Sequence, residues 1–497
     1  MGEFTLASES ETQTTLIGYD LSLILKVGDI ITLSGDLGAG KSALARAIIQ
    51  SMAGDQTYEV PSPTYTICNQ YDLDPAVAHF DFYRLSDTSE LIELGFDEML
   101  EAGCILVEWP ELCADKIPKE ALNISIIDNG PSAREFTISG EGELFIRAAR
   151  SFAIRDLLTD SGHENATRTP MNADASARRY EVIEDDGSRL LLMDDPAKPE
   201  AATSAGEKPY NEIAHIAQEV GPFVAIDLAL REAGFAAPEI LASNIEEGLL
   251  LTEHFGTGGV LDDNRTPITE RYMASVECLA SMHEVTWPRQ VHYGGKQPYS
   301  IPDFDFDALL AEANLLTQWY LPVFGKTPLT ELQRDAFKNI WSDLHNFLGE
   351  GEQSLILRDY HSPNIVWRDK ESRNNRVGLI DFQDALIGSS AYDVVSLCQD
   401  ARVDISQELE TQLLEHYVTL RTKASGEFDE EHFKASYAIL GAQRNTKILG
   451  IFIRLKERDG KPHYMDHLPR IRDYMNRCLQ HPKLAPYKDW LSDVVEL

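Results

Sequence analysis

The sequence predicts two domains of different class: an α/β domain with a parallel sheet over residues 1–150, then a bilobal α+β domain over 151–497. Three observations carry this prediction. The 497 residues exceed what one ordinary core accommodates. A glycine-rich run, 35–42 (GDLGAGKS), stands between a β-branched apolar run and a helical pattern. Far downstream, Asp359 and Asn364, followed by Asp381, form a second and unrelated phosphate-handling signature. No single fold uses both, so two domains joined end to end is the simplest architecture.

Composition narrows the class. An apolar fraction of 43% and a charged fraction of 25% are those of globular proteins. No uninterrupted apolar run approaches the roughly 18 residues of a membrane span. Residues 1–15 lack the basic and apolar regions of a signal peptide, so the expected location is cytoplasmic, without membrane contact. The formal charge is -37, from 81 acidic and 44 basic residues. Counterion release on a nucleic-acid backbone needs clustered Lys and Arg, so no direct nucleic-acid binding is expected. Any such role would run through a partner protein. The six cysteines (Cys68, Cys104, Cys113, Cys278, Cys398, Cys478) are scattered without a CxxC pair, which argues against a metal cluster and a disulfide frame.

In the first domain, residues 29–34 (DIITLS) read as a strand and 42–50 as a helix, with the glycine-rich run between them. That order is a P-loop. Gly38 and Gly40, with Leu37 and Ala39 around them, let backbone N–H groups point at nucleotide phosphates, and the helix N-terminus adds its dipole. Lys41 can reach the β and γ oxygens, and the Ser42 hydroxyl can ligate Mg2+. Residues 77–81 and 104–108 are short strands ending in Asp81 and Glu108. Ligands bind beyond the C-terminal ends of parallel strands, so both acids can face one nucleotide, one of them as a Walker-B-like metal group. The chain has no NKxD guanine-reading motif, which favours ATP.

Four segments in order, 35–42 (GDLGAGKS), 61–66 (PSPTYT), 79–85 (HFDFYRL) and 107–110 (VEWP), resemble the TsaE family over residues 5–148. The resemblance implies an ATPase needed to form threonylcarbamoyladenosine in tRNA. It implies that Lys41 and Ser42 bind phosphate and Mg2+, that Asp81 is the Walker-B-like acid, and that Glu108 is a metal or catalytic carboxylate. Ser62 and Thr64 would lie in a switch sensing the γ-phosphate, with Trp109 beside the site. Glu11 and Arg134 align with nucleotide-contacting positions. The implied partners are the TsaB and TsaD subunits, through which tRNA would be approached.

Between the domains, 140–160 holds no long Pro, Gly or Ser tract; a helical stretch over 144–158 carries the chain across, and 160–175 reads as a polar loop. Residues 179–183 and 189–193 form a hairpin around the turn 185–187, and 248–255 is a buried strand leading into a glycine-rich break at 256–259. From residue 269 onward helical patterns dominate. A small β-rich lobe followed by a helical lobe is the protein-kinase-like arrangement. Phosphoryl transfer to a hydroxyl needs a carboxylate to orient the hydroxyl and oxygen ligands to hold Mg2+ against the phosphates. Asp359 is the catalytic candidate; Asn364, and Asp381 at the end of the strand 377–382, are the metal candidates. His361 shapes the loop and is assigned no ligand role.

The segments 357–364 (LRDYHSPN) and 379–385 (LIDFQDA) resemble the aminoglycoside phosphotransferase family. Residues 174–180 (DASARRY), 192–194 (LMD), 318–321 (QWYL) and 441–454 (GAQRNTKILGIFIR) resemble the N-acetylmuramate/N-acetylglucosamine kinases, over about 152–495. The resemblance implies ATP and Mg2+ as cofactors and phosphorylation of an amino sugar's anomeric hydroxyl in peptidoglycan recycling. Ala175 and Ser176 would lie near the phosphates, and Thr252 and Phe255 in the nucleotide-binding hinge. One departure stands out: the lysine that kinases carry on this strand is absent near Met193, leaving Arg178 or Arg179 as substitutes. Arg444 and Arg454 either contact sugar or phosphate or form helix salt bridges. Two alternatives stay open for this half: a kinase of aminoglycosides or other small alcohols, and a non-catalytic nucleotide-binding regulatory module.

Overall fold

The computed structural model describes residues 2–85, 90–171, 178–198, 208–294 and 297–496. Two compact units emerge, Met1–Thr167 and Arg168–Leu497.

The first unit is a seven-stranded sheet in the order Gly2–Ser8, Arg134–Gly140, Leu122–Asp128, Ile30–Ser34, Gly103–Glu108, Ala76–Asp81, Cys68–Tyr71. Its four middle strands from Leu122–Asp128 to Ala76–Asp81 run parallel, and antiparallel strands close both edges. Gly103–Glu108 is buried at every position, as a strand covered on both faces requires. The edge strand Gly2–Ser8 instead alternates between half-buried and exposed positions up to Ala7 and ends on buried Ser8. Register matters for the site: Asp81 pairs with Glu108, and Glu108 with Leu33, so both acids end their strands beside the strand that enters the P-loop.

The helix Glu143–Asp160 runs unbroken through residue 150, where the sequence suggested a boundary. Its second half stays with the first unit. Phe152 joins that unit's core, and Arg155 pairs with buried Asp20 at 2.8 Å. Beyond it, Thr167–Pro170 is an outer strand of the next sheet, where the sequence reads as loop. Three of its four residues are exposed, so it carries no apolar alternation to announce it.

The second unit opens with a five-stranded sheet in the order Ile240–Asn244, Leu249–Glu253, Ser188–Asp194, Arg179–Asp185, Thr167–Pro170. The hairpin turn falls at Asp186 and Gly187, both with positive φ, which is the Asp-Gly chemistry of a two-residue hairpin. A helical lobe follows, centred on the 28-residue helix Glu430–Glu457, which is buried along most of its length. Among its small antiparallel ribbons are Gln353–Ile356 with Leu386–Ser389, and Ile365–Trp367 with Val377–Leu379. These ribbons hold the loops that bear Asp359, Asn364 and Asp381. Among the described residues no helix is long and apolar enough to cross a membrane.

Candidate active sites

In the first unit, the strand Ile30–Ser34 delivers the loop 35–40 to the N-terminus of the helix Lys41–Ala53. Gly38 and Gly40 take φ of 83° and 116°, a region closed to most side chains. A Cβ at Gly38 would meet nothing within 4 Å, and one at Gly40 only Arg134 at 3.6 Å. The loop therefore leaves an open cradle before the helix N-terminus, with Leu37 exposed at its tip and Ala39 packed into the core. That shape fits nucleotide phosphates.

Lys41 curls back over this cradle. Its Nζ donates to the Gly35 carbonyl at 2.7 Å and the Asp36 carbonyl at 3.0 Å, and sits 3.7 Å from the centre of the Trp109 ring. Burial lowers its pKa, while Glu108 and other carboxylates pull the other way. Trp109 reaches this position because its backbone is left-handed, with φ 60° and ψ 50°, and its ring also lies 5.1 Å from Tyr83.

Glu108 is held at both oxygens. Ser42 Oγ donates to Oε2 at 3.0 Å, and His79 Nε2 lies 2.9 Å from Oε1. Asp81 accepts from Thr64 Oγ1 at 3.2 Å and from the Tyr83 N–H at 3.0 Å, and Thr64 is hydrogen bonded to Ser62 at 2.8 Å. The segment read as a switch is thus hydrogen bonded to Asp81. Arg134 Nε donates to the Ala39 carbonyl at 2.8 Å and so buttresses the loop from behind. Glu11 is exposed in the first turn of Glu11–Ser22, and among the described residues no hydrogen bond ties its side chain to the loop. Ser42, Asp81 and Glu108 fit Mg2+, which takes one or two carboxylates and completes its shell with water and phosphate oxygens.

In the second unit, Asp393 anchors the loop that bears Asp359, accepting the backbone N–H groups of Leu357 at 2.6 Å and Arg358 at 2.9 Å. The Arg358 carbonyl accepts from Ser396 Oγ at 3.1 Å and Arg444 Nη1 at 3.2 Å. Arg358 itself has φ +67°, a strained conformation that these four bonds over-determine. Asn364 then joins the site: its Nδ2 donates to the Asp359 carbonyl at 3.0 Å and to Asp381 Oδ2 at 3.2 Å. Asp381 also has positive φ, and its Oδ1 accepts from Gln383 Nε2 at 3.0 Å and Arg178 Nη1 at 2.9 Å.

The two carboxylates are tuned apart. For Asp359, burial works to raise the pKa, but His361, Lys447, Arg444 and Arg358 outweigh it and bring it to about 2. For Asp381, burial and then Asp359 raise the pKa, with Arg178 opposing them. Asp359 is therefore ionised at any working pH. Among the described residues no group of three or more His, Cys, Asp and Glu stands at metal-binding spacing. Asn364 with Asp381 is the sparser donor set expected of Mg2+ completed by nucleotide phosphates.

Thr252 is buried in the strand Leu249–Glu253, its hydroxyl on the Leu191 carbonyl at 3.2 Å, and Phe255 packs under Arg368 with 4.3 Å to the ring centre. Ala175 and Ser176 lie outside the described residues. Met193 is buried and brings no cation. Arg178 turns to Asp381, whereas Arg179 pairs with Asp194 at 2.9 Å and is mostly exposed. Arg444 lies buried behind Asp359; Arg454 sits further along the helix with its guanidinium 5.6 Å from the Tyr210 ring centre. His361 Nε2 is 3.9 Å from Asp359 Oδ1. Sequence reasoning left His79, Gln383 and Asp393 without roles. The first stands in the HFD segment and the second two residues after Asp381, but only the fold shows what each touches.

Together these geometries define a protein with two nucleotide-type sites, one a P-loop and the other a kinase-fold phosphotransfer site. Residues 8–136 match the family described as threonylcarbamoyl adenosine biosynthesis protein TsaE, and residues 167–428 match the phosphotransferase enzyme family. The chain belongs to both: it is a bifunctional fusion of a TsaE-family ATPase and a phosphotransferase-family enzyme. A protein of Caulobacter vibrioides named N-acetylmuramate/N-acetylglucosamine kinase is 31% identical over 362 residues, covering 70% of this chain and 98% of that protein. The TsaE proteins of Rickettsia felis and Bacillus subtilis are 34% and 37% identical over 156 and 135 residues. Those alignments cover 30% and 27% of this chain, and 91% and 83% of the relatives.

Proposed function

We propose that the second unit phosphorylates the anomeric hydroxyl of N-acetylmuramate or N-acetylglucosamine with ATP and Mg2+, in recycling of cell-wall sugars. The observation that carries this reading is Asn364 bridging the Asp359 loop to Asp381, with Asp359 kept ionised. Asp359 accepts a hydrogen bond from the acceptor hydroxyl, aims its oxygen at the phosphorus and takes up the proton as the bond forms. Asn364 and Asp381 would hold Mg2+, which supplies charge neutralisation of the transferring phosphoryl group.

The first unit, in the same reading, is the ATPase that works with TsaB and TsaD in tRNA threonylcarbamoyladenosine formation, with ATP and Mg2+ on Lys41, Ser42, Asp81 and Glu108. The fusion would act in the cytoplasm.

For the second unit the test is sugar 1-phosphate formation from ATP, Mg2+ and each amino sugar. Turnover should be lost in Asp359→Asn. No product from either sugar, with kanamycin phosphorylated instead, would reverse the substrate assignment; inactivity on all acceptors would favour a regulatory module. For the first unit, Lys41→Ala or Glu108→Ala should fail to restore the tRNA modification in a strain lacking it, and normal modification would refute the assignment.

A further inference from the structure

We infer that Arg178 is the nucleotide-phosphate cation of the second unit, standing in for the lysine that kinase-fold enzymes carry on the strand occupied here by Ser188–Asp194. This rests on the reading of that unit as an ATP-dependent kinase. A site that gathers Asp359, Asp381 and Asp384 has to offset the charge of a triphosphate as well as its own. In other kinase-fold enzymes a strand lysine contacts the α and β phosphates. Here Met193 and its neighbour Leu192 are buried apolar side chains, and Arg179 is mostly exposed and tied to Asp194.

Arg178 comes from the neighbouring strand's entrance, and Asp195 and Asp381 are among its partners. Its Nε donates to Asp195 Oδ2 at 3.0 Å, and its Nη1 to Asp381 Oδ1 at 2.9 Å. The Asp195 end is the fixed one. Asp195 is buried, its N–H donates to the Gly248 carbonyl at 2.9 Å, and Lys198 Nζ lies 3.2 Å from its other oxygen. Gly248 has φ +67°, and a Cβ there would stand 2.2 Å from the Asp195 carbonyl oxygen, so this corner admits only glycine. The Asp381 end is the exchangeable one, because Asp381 is the residue that would hold Mg2+. Without nucleotide the guanidinium neutralises Asp381. With nucleotide and Mg2+ bound, Asp381 would hold the metal, and Nη1 would turn to the phosphates about its anchor on Asp195. A planar guanidinium suits that exchange, since it keeps one edge on a carboxylate while presenting the other to phosphate oxygens.

The test uses the full chain carrying Lys41→Ala, so that nucleotide binding reports residues 168–497. Calorimetry would measure Mg2+ with a non-hydrolysable ATP analogue, and adenosine alone; electron paramagnetic resonance would measure Mn2+ without nucleotide. Arg178→Ala should weaken the ATP analogue by roughly 10- to 100-fold, the loss of a charge-assisted contact. Adenosine should stay within about 2-fold, because its contacts lie at the hinge. Mn2+ alone should bind several-fold tighter, since Asp381 is released. Arg178→Lys should regain most of the analogue's affinity. Equal weakening of adenosine and the analogue, or no change in either, would overturn the assignment. A Lys41→Ala parent that binds no adenine nucleotide would instead overturn the kinase reading itself.

Discussion

At Glu108 the two oxygens have separate partners, Ser42 on one and buried His79 on the other. A carboxylate at the end of a free strand would sample several rotamers; this one is clamped, and its orientation depends on a residue that need not touch nucleotide. His79 is therefore a positioning residue. Replacing it by Ala should lower the rate constant for ATP hydrolysis by about 10- to 100-fold. The KM for ATP should move less than about 3-fold, because the cradle around Gly38 and Lys41 is untouched. A large rise in KM with little change in turnover would mean that His79 supports the nucleotide pocket instead.

Two helices of the second unit cross where Glu312, on Phe306–Leu315, meets Glu430–Glu457. Glu312 is buried and accepts from Gln443 Nε2 at 2.9 Å, Lys447 Nζ at 2.6 Å and the Arg358 guanidinium. Burial would raise its pKa, but Lys447 and Arg358 bring it from 4.5 to about 2. Glu312→Gln leaves two buried cations uncompensated and should cost about 3–5 kcal/mol at pH 7 by urea denaturation. The sign with pH follows from the depressed pKa: this stabilisation is complete above 4.5 and is lost as pH falls from there toward 2. The gap between wild type and Glu312→Gln should thus be smaller at pH 4 than at pH 7, and a constant gap would contradict the account. The same crossing explains a glycine inside a helix. A Cβ at Gly450 would lie 2.3 Å from the backbone of Leu315. Gly450→Ala should destabilise by about 1–3 kcal/mol through this overlap, although helix propensity alone favours Ala by about 1 kcal/mol. A stabilised variant would show that the helices separate freely.

These elements also mark what the sequence makes legible. The P-loop, the Asp-Gly hairpin and the strands ending in Asp81 and Glu108 announce themselves because their determinants are local: glycines, turn residues and β-branched runs. The pairing of Asp359, Asn364 and Asp381 is legible through spacing. Arg178 against Asp381 and Glu312 against Lys447 are not, because each joins residues far apart in the chain, and nothing local distinguishes a buried arginine from a surface one. The strand Thr167–Pro170 escapes for the opposite reason, being too exposed to carry a pattern.

For the whole molecule the governing quantity is charge. With 81 acidic and 44 basic residues, the net value of -37 sets a repulsive field toward any polyanion. Many of the basic side chains are already engaged: Arg155 with Asp20, Arg358 and Lys447 with Glu312, Arg178 with Asp195 and Asp381. Phosphate-backbone affinity grows with the number of counterions displaced by free cations, so a chain with this balance has little to offer tRNA by itself. If its first unit serves tRNA modification, the nucleic acid has to be held by the partner subunits. The full chain alone should show no saturable tRNA binding at about 150 mM salt, measured by fluorescence anisotropy with labelled tRNA. Adding TsaB and TsaD with ATP and Mg2+ should bring the chain into a tRNA-containing complex, detected by size-exclusion chromatography. Micromolar binding by the chain alone, weakening steeply with added salt, would show that a local basic surface overrides the overall charge and that tRNA is approached directly.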